Sequence, residues 1–178
     1  MNFLVYSSEG GCSVRPDSSR CKDNGDYYVP DGIDEVAFTP VAYARMNQSG
    51  KAIESRFVRR YYDAVGFGFF LYPGGNTIFD RTTVLPMPLY NPITLEGTDN
   101  RFRGWKDGAL LFDIGMEGIR ERLEEAICAC SANTSIRRAD FVIAELAAPA
   151  PLCRIGDTIC RINAQFCENE VADIEVKF

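Results

Sequence analysis

The 178-residue chain reads as an α+β protein, rich in β-structure, with mixed sheets and two or three short helices. Three observations predict this. Apolar residues recur at a spacing of two over 36–46, 158–166 and 171–178, the period of a strand with one buried face. The clearest helical period lies at 114–131, where Met116, Ile119, Leu123, Ala126, Ile127 and Cys130 form an apolar stripe. Strands and helices also segregate along the chain, which argues against a doubly wound sheet.

Residues 1–6 are a short apolar run, and 7–35 are polar and rich in Gly, Ser, Asp and Pro, a loop in which 27–30 is extended. In the strand at 36–46, Val36, Phe38, Ala42, Ala44 and Met46 share one face, and Thr39, Val41, Tyr43 and Arg45 share the other. Pro40 removes a ladder donor and predicts an edge or a bulge there. A turn at 47–50 leads into a helix over 51–63, with Ile53, Phe57, Tyr61 and Ala64 one turn apart. An aromatic strand at 65–72 ends at Pro73-Gly74-Gly75-Asn76. Residues 76–109 read as short strands and loops. After the helix come strands at 141–146, 158–166 and 171–178.

The length fits a single domain, 1–178. Hydrophobic residues make up 46% and charged residues 25%, which excludes general disorder. A net charge of −6 repels phosphate backbones and argues against nucleic acid. The basic cluster Arg56, Arg59 and Arg60 reads as the solvated face of the 51–63 helix. The first apolar run has no basic segment before it and no run is long enough to span a bilayer, so neither secretion nor a membrane is expected. A bacterial cytoplasmic setting fits. Seven cysteines are expected as buried thiols acting as small hydrophobes, because their spacing does not suit zinc.

Chemistry is scarce. The chain has no histidine, which excludes Ser-His-Asp and Cys-His catalysis and His-based metal sites. Gly66-Phe67-Gly68 lies in a strand and lacks the third glycine of a dinucleotide loop. The acidic residues, Asp31, Asp34 and Glu35 among them, are scattered without a spacing that selects an acid/base pair.

Several segments, in order, carry a family likeness: DEVAFTPVAYARMN at 34–47, GKAI at 50–53, RYYDAVGFG at 60–68, LFD at 111–113 and RIGDTI at 154–159. Together they resemble the fumarylacetoacetate hydrolase family, over about two thirds of the chain. The resemblance implies a rolled, β-rich scaffold and a dimer. It also implies a Mg²⁺ or Mn²⁺ site, with an E-x-E pair on one strand and an Asp on the next. The E-x-E falls on Thr39-Pro40-Val41 and the Asp on or next to Phe70, and none of these is a carboxylate. The family's later Gly-Phe-Asp-Asn segment retains only Asn91, and its Thr-Gly-Thr-Pro loop falls near Glu145.

The expectation is therefore a non-catalytic member without a metal cofactor, acting by binding or oligomerisation. Its partner would be a second copy or another protein. Thr39, Val41, Phe70 and Asn91 would line the former site, with a filled core expected ahead of a ligand pocket. The alternative is an active hydrolase, isomerase or decarboxylase of a keto acid with a relocated site. Glu145 is then the candidate acid, with Asp63 and Asp80 as possible assistants, although a strand-end surface carboxylate is the simpler reading of Glu145.

Overall fold

The structure, a computed structural model, describes residues 1–21, 25–157 and 160–178. Its strands are β1 (Phe3–Tyr6), β2 (Cys12–Arg15), β3 (Arg20–Cys21), β4 (Tyr27–Tyr28), β5 (Glu35–Met46), β6 (Tyr62–Pro73) and β7 (Thr83–Val84). They continue with β8 (Arg101–Lys106), β9 (Ala109–Gly115), β10 (Phe141–Glu145), β11 (Ala150–Arg154), β12 (Cys160–Phe166) and β13 (Asn169–Lys177). One α-helix, α1 (Ile119–Asn133), lies between β9 and β10, and three short 3₁₀ turns complete the helical content among the described residues. This helix is too short and too polar to cross a membrane.

One sheet runs β2-β1-β10-β5-β6-β7-β3, with β11 also against β5; the other runs β4-β13-β12-β8-β9. The first sheet must curl. Seven strands laid flat would hold β2 and β3 roughly 29 Å apart, at about 4.8 Å per strand. Arg15 and Arg20 are five residues apart in the chain, which limits their separation to about 18 Å. The strap from Pro16 to Ser19 thus draws the two ends of the sheet together. Ser19 Oγ meets Thr83 Oγ1 at 2.8 Å across the closure.

The long hairpin β5–β6 is the backbone of this sheet, and its two faces are those read from the sequence. Val36, Phe38, Ala42, Ala44 and Met46 belong to the main core between the sheets and α1. Val41 and Tyr43 belong to a second cluster inside the curl, with Phe3, Val5, Phe70, Tyr72, Phe141 and Ile143. In the main core Phe67 stacks on Phe166 at 4.3 Å between ring centroids and contacts Phe102 at 5.2 Å. Phe67→Ala is expected to destabilise the protein by about 3–5 kcal/mol, through lost burial and the cavity left between the sheets. Urea unfolding measures this, and a loss under about 1 kcal/mol would mean that the two sheets repack without the ring.

The structure corrects several expectations. Residues 7–35 are not a loop with a single extended piece, since β2 and β3 lie within them besides β4, which falls in the extended 27–30 segment as expected. The helix expected over 51–63 is a 3₁₀ turn at Ser55–Arg60, and Tyr62 already pairs with Met46. Phe57 is consequently exposed. The 114–131 helix begins at Ile119, because Ile114 pairs with Phe102 in β9. Pro40 is neither at an edge nor in a bulge. It stands in a central strand where β10 hands over to β11, and its carbonyl accepts from Leu146 N at 2.9 Å. Of the strand expected at 158–166, Thr158 and Ile159 lie outside the described residues.

Candidate functional site

Antiparallel register places the family-aligned positions side by side. Thr39 on β5 is directly opposite Phe70 on β6, and Val41 is directly opposite Glu145 on β10. Residues directly opposite share a face, so all four point into the curl. Thr39, Val41 and Phe70 have no exposed surface, and Glu145 retains 5%. Glu145 is therefore not the surface carboxylate that its strand-end position suggests. The segment between β1 and β2 covers it, and Ser8 N donates to its Oε2 at 2.9 Å. The Tyr72 hydroxyl donates to Oε1.

A buried cation on this face is Arg15, the last residue of β2, opposite Phe3 on β1 and 2% exposed. Its guanidinium carbon lies 4.0 Å from the centroid of the Phe70 ring and 4.6 Å from that of Tyr72. Nη1 donates to Thr82 O at 3.3 Å, and to Thr82 Oγ1 and Thr83 Oγ1 at 3.2 Å each. Nη2 is buried without a hydrogen-bond partner. Burial pulls the arginine pKa down, while Tyr72 and Glu145 hold it up. Burial likewise pushes Tyr72 up against the pull of Arg15, and the hydrogen bond to Glu145 adds to the rise. The result is a buried group of arginine, phenol and carboxylate in which the net charge is balanced.

The rest of the face is packed by rings and bare backbone. Tyr43 lies over Gly66, where a Cβ would come within 2.2 Å of its ring, and its hydroxyl donates to Pro86 O. At Gly68, opposite Val41, a Cβ would meet Val84 O at 2.1 Å. These close approaches explain why Gly66-Phe67-Gly68 sits in a strand.

The other sequence candidates lie elsewhere. Asn91 is exposed and caps a 3₁₀ turn by accepting from Ile93 N at 2.9 Å. Asp63 stands at the far end of β6, paired with Arg45 at 2.9 Å, and Asp80 is exposed. A cleft of about 600 Å³ includes Arg59, Arg101 and Arg120, but each of these already faces a carboxylate, on Glu124, Asp113 and Glu96 respectively. Sequence reasoning missed Arg15 and Tyr72. Tyr72 was legible as an inward position, two residues after Phe70; Arg15 lies in a polar four-residue strand without a pattern to reveal it.

The fold is shared with solved proteins of the fumarylacetoacetate hydrolase family. A fumarylpyruvate hydrolase from Pseudomonas aeruginosa, solved with Mn²⁺ and pyruvate, superposes with a TM-score of 0.80 at 12% identity, covering 100% of this chain and 90% of that one. A fumarylacetoacetate hydrolase family protein from Yersinia pestis gives 0.79 at 11%, covering 98% and 91%. A 2-hydroxyhepta-2,4-diene-1,7-dioate isomerase from Mycobacterium marinum gives 0.78 at 10%, covering 99% and 73%. No family model and no curated protein sequence matches the chain.

The residues on this face do not suit a divalent cation. Mg²⁺ takes six oxygen ligands and favours carboxylates. Here the one carboxylate is engaged by Tyr72 and Ser8, and a guanidinium is its neighbour. Among the described residues, no three His, Cys, Asp or Glu side chains are grouped to hold a metal.

Proposed function

We propose that this chain is a fumarylacetoacetate-hydrolase-fold protein that does without divalent-metal chemistry and acts by binding or self-association, as a homodimer. One observation carries the reading: the Arg15 guanidinium rests on Phe70, beside Thr39 and Val41, with no exposed surface at any of the last three. Arginine supplies a fixed positive charge without ligands or exchange. A buried arginine whose charge acts on Glu145, packed against Phe70, takes the room and offsets the charge that a metal ion would need on this face.

A second reading has its own observation. Glu145, Tyr72 and Arg15 converge, and such a set of carboxylate, phenol and cation can move protons when substrate reaches it. Keto-acid chemistry at a relocated site would use Glu145 as the acid.

Isothermal titration with Mg²⁺ and Mn²⁺ separates the two. We expect no binding heat up to millimolar metal and no turnover of fumarylpyruvate. Binding at micromolar metal would overturn the metal-free reading, and turnover without metal would favour the second. Light scattering on the same sample is expected to give twice the chain mass, and a strict monomer at all concentrations would remove self-association.

A further inference from the structure

We propose that Cys12 and Cys130 are a redox site that forms an intramolecular disulfide with low-molecular-weight disulfides and so fastens β2 to α1. The Cys130 thiol points at Cys12 with 3.4 Å between the sulfurs. A disulfide needs about 2.05 Å, so small side-chain rotations close the gap. The two residues are 118 positions apart and lie on different elements, β2 and α1. Local sequence therefore does not impose their meeting.

The two sulfurs differ in access. Cys12 is exposed, the other six cysteines are buried or half-buried, and Cys130 is 3% exposed. A surface hollow of about 230 Å³, lined in part by Cys12, Val14, Ala129, Cys130 and Asn133, leads to the pair. Burial pushes the Cys130 thiol up, so Cys12 is the group that reacts first. Its thiolate attacks one sulfur of the small disulfide, forming a mixed disulfide and releasing one small thiol. Cys130 then gives up its proton and attacks the Cys12 sulfur. That step forms the Cys12–Cys130 bond and releases the second small thiol. The chain loses two protons and two electrons, and the small disulfide gains both.

The consequence follows from the place of β2. It is an edge strand of four residues, held by β1 on one side, and it carries Arg15 three positions after Cys12. Tying β2 to α1 holds the start of the strap that closes the sheet. This site stands whether or not the chain binds metal.

The test uses oxidised glutathione on the purified full chain. The expected product is a chain lighter by two hydrogens, with a non-reduced peptide joining Cys12 to Cys130. Its melting temperature should rise by roughly 4–16 °C, and dithiothreitol should reverse it. Cys12→Ser, at an exposed position, should fold normally and lose both the cross-link and the shift. Cys130→Ser should hold a glutathione adduct on Cys12, because the resolving thiol is gone. A wild-type chain that ends with a stable adduct on Cys12, or with a bond between two chains, would overturn the site. A cross-link without a thermal shift would overturn the fastening of β2.

Discussion

Arg15→Met is expected to destabilise the protein by about 3–5 kcal/mol, although methionine fills nearly the same space against Phe70 and Tyr72. Volume is not what the variant loses. The guanidinium is a positive charge of a nearly closed interior that acts on Glu145, and without it Glu145 stays 5% exposed with that compensation lost. The hydrogen bonds from Tyr72 and Ser8 remain, but they solvate the charge without neutralising it. Thr82 O keeps its bond from Leu71 N and the Thr83 hydroxyl its contact with Ser19, but both, with the Thr82 hydroxyl, lose the Arg15 donor. At this chain length the loss corresponds to a drop of roughly 6–20 °C in melting temperature. The double variant Arg15→Met/Glu145→Gln should recover at least half of it. The amide still accepts from Tyr72 and Ser8, and the orphan charge is gone. A coupling energy near zero in this cycle, measured by urea unfolding, would mean that the two residues do not act as a pair.

The long elements were legible because their patterns are long. Over 36–46 the alternation separates Val36, Phe38, Ala42, Ala44 and Met46 from Thr39, Val41 and Tyr43, and the two sets enter two different clusters. The helix stripe from Ile119 to Cys130 is buried as its spacing requires. Of the short elements β2, β3 and β4, only β4 was legible, as the extended piece at 27–30. β2 and β3 have four and two residues, too few for a period to emerge from polar sequence. At 51–63 the spacing of Ile53, Phe57 and Tyr61 suits a helix, but tertiary pairing overrides it: Asn47 N takes the Tyr61 carbonyl at 2.8 Å, and Tyr62 enters the ladder with Met46. The site follows the same division. Thr39, Val41 and Phe70 were placed by strand period and resemblance. The burial of Glu145 and the role of Arg15 depend on a strap whose path across the curl is a tertiary fact. Arginine and glutamate read as surface residues until the element that covers them is known.

Val41→Glu returns a carboxylate to one of the positions where the resemblance implies a metal ligand, and is expected to destabilise the protein by about 3–5 kcal/mol. Val41 has no exposed surface and stands directly opposite Glu145, so the new side chain must fit a filled space and share it with a like charge. One guanidinium would then serve two carboxylates. Divalent metal gives the variant its informative half. If the face could open to hold an ion with a dissociation constant near 10 μM, 10 mM Mg²⁺ would stabilise the folded chain by about 4 kcal/mol, a rise of roughly 8–16 °C. We expect a rise under about 1 °C, measured by thermal unfolding with and without the ion. Thr39 and Phe70 bring no carboxylate to the new one, and Arg15 holds a positive charge against Phe70, directly opposite Thr39. The large rise would show that Arg15 and Tyr72 move aside for an ion, and the reading of a permanently filled face would fall with it.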